Sequence, residues 1–111
     1  MNVVKFYKLA MMNKEPGIGF VPENGYSLPN NYLLDLVVYK SSETCNNGKN
    51  IWFVVETSSG CALGQGESRQ KAVQNFENNV ERMGIESIGE AIVRSINKYG
   101  RTPDHNSTEV F

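Results

Sequence analysis

Ile51-Trp-Phe-Val-Val-Glu-Thr-Ser-Ser-Gly-Cys-Ala-Leu-Gly-Gln-Gly-Glu-Ser68 holds the pattern that decides the fold. Ile51 to Thr57 is dense in β-branched and aromatic residues and reads as a strand. Ser59-Gly60 turns the chain into a short further strand, Cys61 to Gln65, and Ser68 is a good N-cap for a helix running to Met83. Along that helix Ala72, Phe76, Val80 and Met83 share one stripe with Val73 at its edge, and Gly84 followed by Ile85 has the form of a Schellman stop.

Working toward the N-terminus, Tyr32 to Lys40 is an equally strong strand, and Asn47-Gly48 suits a hairpin turn between the two. Tyr32, Leu34, Leu36 and Val38 share one face. In the second strand Ile51, Phe53 and Val55 oppose Trp52, Val54 and Glu56, so both strands carry more apolar surface than one buried face needs. Two readings of the excess stay open: Trp52 and Tyr39 form a partner or homodimer interface, or the N-terminal segment covers that face. Residues 2–12 fit an edge strand, although Leu9 to Met12 also suit a helix. Asn13 to Asn31 carries Pro16, Pro22, Pro29, Gly17, Gly19 and Gly25 and reads as a long loop, broken at most by an extended piece around Gly19 to Val21.

Toward the C-terminus, Ser87-Ile-Gly-Glu90 has the form of a capping box opening a second helix, with Ile88, Ile92, Ile96 and Tyr99 on its apolar face. Gly100 ends it and Pro103 prevents resumption. The expected class is α+β: an antiparallel three- or four-stranded sheet with two helices on one face, in the order β-β-β-β-α-α. Residues 1–103 form one domain in this reading and residues 104–111 a flexible tail.

The chain has 111 residues, 40% of them hydrophobic and 10% aromatic, too apolar for a disordered chain. With a mean hydropathy of -0.40 and no long apolar run, a soluble domain without a membrane span is expected. Met1 to Ala10 places Lys5 and Lys8 inside its apolar stretch and shows no secretory pattern, which points to the cytoplasm and to reduced Cys45 and Cys61. A net charge of -1 and a pI near 5.8 disfavour nucleic-acid binding, which relies on excess Lys and Arg.

No residue set assembles a catalytic site, and no metal or cofactor is expected. His105 sits in the tail without a nucleophile or carboxylate framework. Asp35 and Glu56 could meet as paired carboxylates on the sheet; the plainer reading has both facing solvent or a partner, since like charges in register repel. Cys61 lacks an activating histidine and reads as a small buried residue. Gly17-Ile-Gly19 lacks the rest of a dinucleotide fingerprint, and the Asn106-Ser107-Thr108 sequon has no meaning without secretion. Arg69 and Lys71 stand in the first helical turn, where the macrodipole prefers acidic groups. They either meet an anion, a phosphate or an acidic partner surface, or are simply solvated. Glu77, Glu81 and Glu86 form an acidic helical surface that suits a basic nuclease or is likewise only solvated.

Gly60-Cys-Ala-Leu-Gly-Gln-Gly-Glu-Ser68, with Ala72 in the helix that follows, resembles the HicB-like antitoxin domain over residues 32–83. That family neutralises small ribonuclease toxins by covering them, which implies a protein partner. The helix and tail after Met83 are too short for the DNA-binding module that many members append. Gly64, Gly66, Ser68, Arg69, Gln70 and Ala72 are also similar to the Gly-x-Gly-x-Ser-Lys-Lys-x-Ala motif ending a double-stranded RNA-binding domain. There basic side chains grip phosphates, but Gln70 and Val73 replace lysines of that pattern, and Phe76 and Glu77 stand where alanines are usual.

The expected function is that of a non-catalytic inhibitor occluding a nucleic-acid-processing enzyme or complex: a toxin, a nuclease or a CRISPR effector. The chain would be antitoxin-like or an anti-CRISPR protein of a phage or mobile element. Partner-binding residues in this reading are Trp52, Arg69, Lys71, Glu77 and Glu81. The alternatives are a degenerate double-stranded RNA-binding module and a small enzyme whose site the residues do not reveal.

Overall fold

The computed structural model describes residues 3–11, 18–44 and 50–102. They form β1 (Val3–Met11), β2 (Ile18–Leu28), β3 (Leu36–Thr44), β4 (Asn50–Glu56), β5 (Cys61–Gly66), α1 (Arg69–Met83) and α2 (Ile85–Tyr99). The strands make one antiparallel sheet in the order β1-β2-β3-β4-β5, and both helices pack on one face of it. The α+β class with two helices on one face is therefore as expected, with five strands instead of three or four.

The additional strand is β2, in a segment whose prolines and glycines suggest a loop. It pairs with β1 from Val3 opposite Tyr26 to Met11 opposite Ile18, but with β3 only from Tyr26 to Leu28. Pro22 thus sits where β2 is paired on one edge alone, which is where a residue without an N–H is tolerated. At Gly25 the pairing with β3 ends and the β1–β2 hairpin crosses the back of the sheet. The glycine permits this close approach: a Cβ there would lie 3.0 Å from both Phe6 Cε1 and Val38 O. On the far side, Leu9 N–H donates to Gly60 O at 3.1 Å in the β4–β5 turn.

β3 begins later than the apolar pattern suggests, because Tyr32 to Asp35 belong to the loop that connects β2 to β3. Val37↔Val55 and Val38↔Val54 fix the β3–β4 register. The turn at Asn47-Gly48 lies outside the described residues, as do His105, the sequon and residues 104–111.

Adjacent residues of β3 and β4 point to opposite faces, and both faces are buried. Leu36, Val38 and Val54 pack with Ala72 and Phe76 of α1, flanked by Tyr26, Trp52, Leu63 and Val80. On the other face Val37, Tyr39 and Val55 pack with Phe6. Tyr39 lies against Phe6, with ring centroids 5.2 Å apart, and stacks on Phe53 at 5.7 Å. The apolar excess on this side is covered by the N-terminal segment, so Tyr39 is a core residue and not part of an exposed interface.

Ser68 caps α1 as expected, its Oγ accepting from Lys71 N at 3.1 Å. The start of α2 is different. Gly84, at φ +84°, donates its N–H to Val80 O and accepts from Ile88 N, so one glycine ends α1 and opens α2 at Ile85. Ser87 lies inside the helix and caps nothing, which removes the capping box.

Candidate functional site

β5 runs so close beneath α1 that side chains would not fit between them. A Cβ on Gly64 would stand 2.8 Å from Phe76 Cβ and 2.9 Å from Ala72 O, and one on Gly66 would stand 2.7 Å from Ala72 N. From above, Asn75 Nδ2 donates to Gln65 O at 2.6 Å and Asn79 Nδ2 to Leu63 O at 3.0 Å. These two amides, one helical turn apart, occupy carbonyls of an edge strand that would otherwise invite a foreign strand. The outward surface of α1 is therefore a firmly held platform.

At its N-terminal end stand Arg69 and Lys71, both exposed, in a first turn without acidic residues. Arg69 lies over the Tyr26 ring at 5.8 Å. Trp52, opposite Gly66 in the sheet register, is half-buried in the core beneath this end. Glu77 and Glu81 are exposed further along α1. Four of the five sequence-derived residues thus share α1, with Trp52 on β4, and the four gather at two places, since Arg69 and Glu81 are separated by about 18 Å of helix rise. Glu86 is on α2, apart from the other two glutamates.

A loop that the sequence reading passed over docks against the acidic part of α1. Asn30 organises it: Oδ1 accepts from Tyr32 N at 2.9 Å and Leu34 N at 3.3 Å, while Nδ2 donates to Leu34 O at 2.7 Å and Leu28 O at 3.3 Å. Tyr32 then packs edge-on against Phe76, and its hydroxyl donates to Glu77 Oε2 at 2.6 Å. That hydrogen bond, together with partial burial and the carboxylate charge, holds the phenol above its ordinary pKa.

Between Tyr32 and Leu34, Leu33 is 99% exposed at φ +61°, the left-handed conformation, and is the one non-glycine residue with positive φ among those described. Such a conformation costs an ordinary side chain about 1–2 kcal/mol. A fully exposed leucine recovers none of that by burial within its own fold. The signal in the sequence is Asn30, whose side chain favours a local turn of this kind, masked by the continuous apolar pattern of Tyr32 to Lys40.

Asp35 and Glu56 do not form a pair. Asp35 is exposed, whereas Glu56 is only 4% exposed and turned toward the β4–β5 turn, which corrects the expectation that both face solvent or a partner. Its Oε2 accepts from Ser58 N at 2.8 Å, its Oε1 from Ser59 N at 3.0 Å, and Ser58 Oγ donates to the same carboxylate. The carboxylate is thereby committed to shaping the turn. Thr102 fastens the end of α2 to it, with N donating to Ser58 O at 3.0 Å and Oγ1 to Thr57 O at 2.6 Å. Cys61 is half-buried beside this turn, and burial pushes its thiol up against the opposing hydrogen bond with Ser95, the opposite of an activated nucleophile. Among the described residues, no group of three or more His, Cys, Asp or Glu side chains is placed to hold a metal ion.

No family model, curated protein or solved structure matches the chain.

Proposed function

We propose that the protein is a non-catalytic inhibitor that binds and occludes a nucleic-acid-processing enzyme, using the surface formed by the Asn30–Leu34 loop and α1. Leu33 carries this reading: it is an apolar side chain held away from the body in an unfavourable backbone conformation by a loop that Asn30 ties together through Leu28, Tyr32 and Leu34. Glu77, beside the loop, and Glu81, one turn further on, add the negative charge that suits the basic working surface of a nuclease. Leu33 serves as the apolar anchor and the glutamates as its rim.

Leu33→Asn tests the anchor, because asparagine tolerates left-handed backbone better than leucine. Thermal stability is expected to hold or rise slightly while capture of a nucleic-acid enzyme from host lysate falls at least about tenfold. Equal capture by the variant, or wild-type capture of no nucleic-acid enzyme, overturns the reading. A second reading rests on Arg69 and Lys71, exposed on a helix start without acidic residues: binding of double-stranded RNA. A low-salt mobility shift unchanged by Arg69→Ala with Lys71→Ala discards it.

A further inference from the structure

α2 presents a second surface of a different kind. Ile88 and Ile92 face the body, while Val93, on the outer side, is 55% exposed. Glu86, Gly89, Glu90 and Val93 stand at i, i+3, i+4 and i+7, the four corners of the hole that accepts a side chain from a facing helix. Gly89 leaves this hole unfilled, since a Cβ there would meet nothing within 4 Å. With Arg94 these residues line an open, mostly apolar groove of about 690 Å³. Ile85 and, just before the helix, Met83 are also partly exposed, at 36% and 46%.

We infer that this groove receives α2 of a second copy of the chain, antiparallel, about a two-fold axis passing near Ala91. The order of charges selects that occupant. Glu86 and Glu90 precede Val93 and Arg94 follows it, so the face is negative toward its N-terminal end and positive toward its C-terminal end. A parallel copy places like charge on like. An antiparallel copy that inserts its Val93 at Gly89 places its Arg94 between Glu86 and Glu90, and the symmetry makes the same contact twice. Antiparallel packing also sets the two helix dipoles in opposition. The contact between two 15-residue helices lies at the small end of interface sizes, under about 1,200 Å² in total, so the dimer is concentration-dependent.

Sedimentation of the full chain over a concentration series tests this, with a rise expected from 12.4 kDa toward twice that mass. Glu86→Arg and Arg94→Glu, both at exposed positions, are each expected to raise the dissociation constant at least about tenfold. Mixed in equal amounts, the two variants restore both cross-pairs and recover the dimer. Wild-type chain that remains monomeric at about 1 mM overturns the inference. So does a dimer indifferent to either reversal, or a mixture no heavier than its components.

Discussion

On one face of the sheet, Leu36, Val38 and Val54 lie under a helix that follows directly from β5; on the other, Val37, Tyr39 and Val55 lie under a hairpin drawn from the opposite end of the chain. The first closure is local. It needs one tight strand-to-helix turn, two glycines and an amphipathic stripe, all contiguous in sequence. The second requires β1 and β2 to pair with each other, depart from β3 at Gly25 and cross the sheet to reach Gly60. Toward β4 the separations differ, with Phe6 49 residues from Val55 and Phe76 22 from Val54, so the second closure carries more loop-closure entropy there and is expected to be the less tightly held of the two.

Truncating the central aromatic on each side gives the largest effects. Phe76 and Phe6 are both fully buried, and removing a ring of that kind costs about 3–5 kcal/mol. Phe76→Ala is expected to destabilise the whole fold, because the ring joins α1, β5 and the Asn30 loop. Phe6→Ala is expected to release the β1–β2 hairpin while β3, β4, β5 and α1 persist. Amide hydrogen exchange separates the outcomes: Phe6→Ala should abolish protection in β1 and β2 well before β4. Uniform loss of protection in both variants would remove the distinction between a local and a remote closure.

Glycine substitutions give a smaller test of the same contrast. Gly64→Ala drives a methyl into Phe76 Cα and Ala72 O, both backbone atoms at 2.9 Å, so α1 must move away from β5. An overpacked position of this kind costs about 1–3 kcal/mol. Gly25→Ala meets the Phe6 ring and Val38 O at 3.0 Å, contacts slightly longer than those at Gly64 and only one of them to a backbone atom, so less destabilisation is expected. Denaturant midpoints rank the two, and a greater loss at Gly25 would show that the hairpin crossing is the more rigid closure.

The local closure was legible in the sequence and the remote one only in part. Ser68, Ala72, Phe76 and Gly84 mark α1 because cap, stripe and stop follow from neighbouring residues. The apolar excess on both faces of β3 and β4 showed that a cover was needed. It did not show that Pro22, Gly19 and Gly25 belong to a strand, since those residues weaken strand propensity wherever they stand. They are accommodated in β2 because it is paired mostly on one edge and must bend at Gly25. The candidate site divides in the same way. Glu77 and Glu81 are visible as helix-surface charges, whereas Leu33 acquires significance only through a backbone angle set by four hydrogen bonds to Asn30.

The two helix starts give the smallest effects. At α1 the Ser68 hydroxyl accepts from Lys71 N, and removing an N-cap acceptor of this kind costs about 1 kcal/mol. At α2 the residue that most resembles a cap, Ser87, lies a turn inside the helix, while Gly84 accepts from Ile88 N through its carbonyl. Alanine has the higher helix propensity at an interior position, so Ser87→Ala is expected to change stability by no more than about 0.5 kcal/mol, in either direction. Thermal melts of the two alanine variants compare the starts directly. A loss at Ser87 equal to that at Ser68 would move the cap from Gly84 to Ser87 and the true beginning of α2 from Ile85 to Ile88, and with it shift which residues frame the hollow at Gly89.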